Sequence, residues 1–125
     1  MYRKYNANPN HSNIDDCTIR ALSVAEGISW DEAYVLLSDS ARELRLMQSD
    51  VRAIEYFLDL RYDRVPVYEE TVGEFIKNHK RGVFLITMPG HITVLKNGIN
   101  YDTFDSSMRN IWNAWEVLWL LIMEV

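Results

Sequence analysis

Basic residues are in short supply in this chain of 125 residues: 13 Lys and Arg stand against 18 Asp and Glu, a net charge of −5. Binding to a phosphate backbone needs a basic face, so no nucleic-acid partner is expected. Cysteine is rarer still. A single residue, Cys17, cannot close an internal disulfide, and such usage fits a reducing, cytoplasmic setting. One Cys and three scattered His give none of the spacings of a metal centre, so neither metal nor cofactor is expected. Long apolar runs are also lacking. The opening Met1-Tyr2-Arg3-Lys4-Tyr5-Asn6 has no signal-peptide core. Residues 111–125 are too short for the about 20 apolar residues that span a bilayer, and Glu116 interrupts them. They read as a buried strand or helix, and no membrane association is expected. Repeats and linkers are absent.

What is present suits one domain, residues 1–125, with 48% hydrophobic residues to build a core. Residues 1–12 are polar and read as an extended lead-in. Asp15 or Asp16 can cap a helix running from about Cys17 to Glu26, which Gly27 stops. Ser29-Trp30-Asp31-Glu32 is a capping box, and Trp30, Ala33, Tyr34 and Leu37 recur at helical spacing behind it. Residues 38–48 carry no clear period. Val51, Ile54, Phe57 and Leu58 mark a third helix. Pro66 confines Arg61–Val67 to an edge strand. Thr71-Val72-Gly73-Glu74 opens a short helix that ends at Lys80-Arg81-Gly82.

Beyond residue 82 the pattern changes to strand. Val83–Met88 is an apolar run closed by Pro89-Gly90. His91–Lys96 and Ile99–Phe104 flank Asn97-Gly98, the strongest short-range hairpin signal. Helices first and antiparallel strands second predict an α+β fold. With Asn97 and Gly98 in the turn, Val94 faces Tyr101, Thr93 faces Asp102 and His91 faces Phe104. Alternation then puts His91, Thr93, Asn100, Asp102 and Phe104 on one face.

That face gives Cys17 chemical partners. A thiol is mostly protonated near neutral pH, and the thiolate is the nucleophile. A helix N-terminus favours the anion, and an imidazole can hold its proton and later pass it on. A carboxylate on the far ring nitrogen fixes orientation and tautomer. The candidates are Cys17 as nucleophile, His91 as general base and acid, and Asp102 as orienting acid. Asp105 is the alternative acid, because a bulge could swing it back to the His91 face. An oxyanion hole would pair the Cys17 amide with a side-chain donor. Asn13 is the first candidate for that donor and His11 the second. Asp15 and Asp16 oppose thiolate formation unless paired, and Arg20 is one turn away from Asp16. The tryptophans at 30, 112, 115 and 119 read as core.

Four segments carry a family resemblance: Asp16-Cys17-Thr18-Ile19-Arg20-Ala21, Trp30-Asp31-Glu32, Gly90-His91-Ile92 and Asp102-Thr103-Phe104-Asp105-Ser106. In their order the chain resembles papain-like cysteine peptidases, and above all small phage and prophage proteins with an Asp-Cys-x-x-Arg-Ala motif. It is more remotely similar to the peptidase domains that trim leader peptides. Those place a Gln before the Cys, where this chain has His11. The resemblance implies a papain-like fold and a cysteine peptidase acting on a peptide or protein substrate through an acyl-enzyme. Alternatives on the same fold are an amidase, deamidase or acyltransferase, or a non-catalytic phage-encoded binding protein with a host-protein target, in which case the setting is the host cytoplasm.

Overall fold

Capping chemistry and turn residues set the boundaries of the elements. In the computed structural model, which describes residues 1–117, helix α1 runs Cys17–Glu26 and stops at Gly27, whose φ of 66° suits glycine. Helix α2, Trp30–Glu43, starts with the reciprocal Ser29/Glu32 capping box. It carries into the stretch of unclear period as far as Glu43, because Leu37 and Ala41 keep one face buried. Helix α3 is Val51–Arg61, capped by Asp50, and α4 is Val72–Asn78, capped by Thr71.

Strands β1 (Tyr2–Lys4), β2 (Asp63–Val65), β3 (Val83–Met88), β4 (His91–Lys96), β5 (Ile99–Asp102) and β6 (Asn113–Val117) form one sheet in the order β1-β5-β4-β3-β6-β2. The fold is therefore α+β. The sheet is mixed rather than wholly antiparallel, because the lead-in adds β1 parallel to β5. Asp63–Val65 lies at the other edge, as Pro66 requires. The stretch beginning at Ile111 supplies β6. Its remainder, with Trp119, lies outside the described residues.

The β4–β5 hairpin pairs Lys96 with Ile99, Leu95 with Asn100 and Val94 with Tyr101, the register fixed by Asn97-Gly98. Both turn residues have positive φ, 51° and 80°. Strand β5 stops at Asp102, two residues sooner than the sequence predicts, so Ile92 and His91 extend past the last paired rung.

Alternation along the strands gives each face of the sheet its own core. Val83, Leu85, Ile92, Val94, Trp115 and Val117 pack with Leu22, Leu37 and Leu58 from α1, α2 and α3. Phe84, Ile86, Met88 and Leu95 pack under Val72, Phe75 and Ile76 of α4. Arg61 and Tyr62 at the end of α3 both bond Glu26 at the end of α1, which fixes the first helix against the third. Among the described residues no helix is long and apolar enough to cross a membrane.

Candidate active site

Cys17 is the first residue of α1. The amides of a first helical turn have no partner within the helix, and here no side chain caps them. Asp16 occupies the cap position, but its carboxylate turns inward. It is 3% exposed, and its Oδ2 accepts from Asn8 Nδ2 at 3.1 Å and from Trp30 Nε1 at 2.9 Å. Its Oδ1 lies 3.1 Å from Arg20 Nη1, one turn along α1. Asn8 reaches this position because the lead-in coils: Asn6 Oδ1 and Asn8 Oδ1 each accept a backbone N–H two residues on. The expected side-chain cap is thus replaced by an inward ion pair, and the positive end of α1 is left to the sulfur.

The hairpin supplies the rest. His91 Nε2 lies 2.8 Å from Asp102 Oδ2, and both side chains are about 5% exposed. The same carboxylate oxygen accepts from Thr93 Oγ1 at 2.6 Å, and Oδ1 accepts from the Thr103 amide at 2.7 Å. Asn100 Nδ2 donates to Thr93 Oγ1 at 2.8 Å and to the Val94 carbonyl at 2.9 Å. Asn100, Thr93, Asp102 and His91 are thus one hydrogen-bonded chain on the face that strand alternation predicts. Phe104 packs on the imidazole, with ring centroids 4.7 Å apart. Arg20 spans the two buried acids, its Nη2 being 4.0 Å from Asp102 Oδ1.

With Nε2 held by Asp102, His91 lies beside Cys17 in the wall of one cavity, and each shifts the titration of the other. Because β5 ends early, the Ile92 N–H is free to point at the sulfur as well. Burial pushes the Cys17 thiol up, but the His91 hydrogen bond, the Ile92 N–H, the His91 charge and the Thr18 hydroxyl together bring it below the ordinary thiol value. Burial pulls His91 down, and its bonds to Asp102 and Cys17 more than reverse this, raising it to about 9. Burial opposes Asp102 ionisation, yet the bonds from His91 and Thr93 hold its carboxyl below the usual range. The two groups thus shift in opposite directions, the thiol down and the imidazole up.

Three sequence-predicted residues lie elsewhere. Asp105 is exposed and its Oδ1 accepts from the Ser107 amide; the chain turns at Asp102 instead of bulging, so no twist brings Asp105 back. Asn13 and His11 are exposed, and neither lines the cavity at Cys17, because the lead-in reaches α1 through Asn8. The backbone amides of the first turn of α1 remain for an oxyanion. Among the described residues, no group of three or more His, Cys, Asp or Glu is placed to hold a metal.

Sequence reasoning missed Thr93, Asn100 and Phe104 as parts of the site, although their shared face was the signal. It also missed Asn8 and placed Trp112 in the core. Trp115 is fully buried, but Trp112 is 56% exposed at the mouth of a cavity of about 700 Å³. That cavity runs from Cys17 and His91 between α2, α3 and the β3–β4 turn, and Trp30 and Gln48 are in its wall. No protein-family model, no curated protein and no solved structure matches the chain.

Proposed function

We propose that this protein is a papain-like cysteine peptidase that cleaves a peptide or amide bond through a thioester on Cys17. One observation carries the reading: a thiol at an uncapped helix N-terminus faces an imidazole whose far nitrogen is held by a buried carboxylate. In the proposed reaction the Cys17 thiolate attacks the carbonyl carbon, and first-turn amides of α1 stabilise the oxyanion. His91, protonated at neutral pH, gives its proton to the departing amine. It then takes a proton from water, the water oxygen attacks the thioester, and the acid product leaves as the thiolate re-forms. Asp102 keeps the ring oriented and stabilises its charge, while Thr93 and Asn100 hold Asp102 in place.

The cavity supports a peptide substrate over a small amide. Exposed apolar side chains border it, so it is an open cleft that can admit an extended chain rather than a closed pocket. The test is turnover of a mixed peptide pool followed by mass spectrometry, with Cys17→Ser as the control. New cleavage products from the wild type alone, with a Cys17 acyl adduct trapped at low pH, are the expected result. An unmodified thiol and an intact pool, alongside turnover of small primary amides, would favour the amidase reading. No turnover of either would leave the non-catalytic binding protein.

A further inference from the structure

The cleft at Cys17 carries more information than the triad. Twelve large apolar residues are exposed on the described surface, and five of them border this one cavity: Ile14, Tyr34, Met47, Val51 and Trp112. Scattered exposed apolar residues are ordinary, whereas a patch gathered round one concavity marks a binding surface. Cleft charge is one-sided. Asp15, Asp16 and Glu55 line the cavity, and no Lys or Arg does among the described residues. Asp16 is neutralised by Arg20, and Glu55 leans on Arg64 at 3.5 Å. Asp15 is exposed and has no ion-pair partner among the described residues. Among the described residues, the one cation lining the cavity, His91, is committed to Asp102 and Cys17. Gln48 adds a carboxamide whose Oε1 has no partner among the described residues, in a wall that is otherwise mostly apolar. A carboxamide complements a peptide group, which favours a polypeptide occupant over a lipid chain.

We infer that the cleft selects an extended peptide segment carrying a bulky apolar side chain beside a basic one, and rejects acidic segments. The apolar side chain enters between Trp112, Tyr34 and Val51, and the basic group lies toward Asp15. This rests on the peptidase reading for its biological meaning, but binding can be measured without it.

The experiment uses the full chain carrying Cys17→Ala, which cannot acylate. Three blocked hexapeptides of equal length are titrated by tryptophan fluorescence: one with Phe flanked by Lys, one with Phe flanked by Glu, and one with Ser in place of Phe flanked by Lys. The Phe/Lys peptide should bind about tenfold tighter than the Phe/Glu peptide at low salt, with the gap closing in high salt and in an added Asp15→Asn change. Trp112→Ser, at an exposed position where folding is not at risk, should weaken Phe/Lys binding several-fold and leave the Ser peptide unaffected. Equal binding of all three peptides, preference for Glu, or binding of a fatty-acid probe with none of the peptides would overturn the inference. Selective binding without any wild-type turnover would remove the peptidase reading and keep the specificity. Turnover without the charge preference would do the reverse.

Discussion

Replacing His91 with alanine should slow alkylation of Cys17 at low pH but not at high pH. Four influences hold the thiol down, and two of them, the ring's hydrogen bond and its charge, belong to His91. Removing both leaves the Ile92 N–H and the Thr18 hydroxyl against burial, which acts in the opposite direction. The thiol should therefore titrate higher in the variant. An ordinary thiol with pKa about 8.5 is only ~0.3% thiolate at pH 6. Each pKa unit of depression adds tenfold thiolate and loses about threefold in nucleophilicity, a net gain of about threefold per unit. Iodoacetamide labelling at pH 6, read by intact mass, should be faster for the wild type than for a free-thiol peptide. It should slow in His91→Ala by about threefold for each unit by which the thiol rises, on the same slope. Near pH 10.5, where both thiols are ionised, the order should reverse: the more basic thiolate of His91→Ala should react faster, by about threefold for each unit by which its pKa is higher. Equal rates for wild type and variant at pH 6, matching the free thiol, would refute the thiolate–imidazolium pair.

Other outcomes follow from the same contacts. His91 carries a raised pKa of about 9, so its ionised form stabilises the fold fully below the ordinary value of about 6.5; that stability is lost as pH rises through 9. Urea unfolding should show a loss of about 1–3 kcal/mol between pH 6.5 and 10, the lower figure allowing for solvent screening, and the loss should vanish in His91→Ala. Thr93→Val removes a 2.6 Å bond to Asp102, which should cost about 1–3 kcal/mol in thermal unfolding. Arg20→Met strands the buried Asp16 carboxylate and should cost about 3–5 kcal/mol; adding Asp16→Asn should recover much of it in a double-mutant cycle. Trp115→Ala empties the centre of the α1–α3 face and should cost about 3–5 kcal/mol by denaturant melt, whereas Trp112→Ala should change stability by less than about 0.5 kcal/mol.

Local chemistry made much of the arrangement legible. Asn97-Gly98 fixes a two-residue turn, the turn fixes the register, and the register alone puts Asp102 rather than Asp105 on the His91 face. The capping residues 29, 50 and 71 likewise place three helix starts. What resisted reading depends on distant partners. The lead-in has no period, and its parallel pairing with β5 and the delivery of Asn8 to Asp16 arise only once the sheet exists. Asn13 looked suitable by proximity in sequence, but a coil held by side-chain turns does not carry direction forward from residue to residue. Trp112 and Trp115 sit three apart in one apolar run, and only the end of β6 decides which of them meets solvent.

The early end of β5 has a bearing on how the chain matures. Base and acid share a hairpin and are eleven positions apart, so they can meet as soon as that short segment closes. The sulfur is 74 positions upstream of the imidazole and reaches it only when the first helix seats against the end of β4 that β5 leaves uncovered. Contacts so far apart along the chain form late. During synthesis the thiol leaves the ribosome well before the hairpin and has no imidazole to share its proton with, so it stays a poor nucleophile. Thiol reactivity is thus a natural timer for the last docking step, and labelling during refolding would report when the two ends of the molecule have joined.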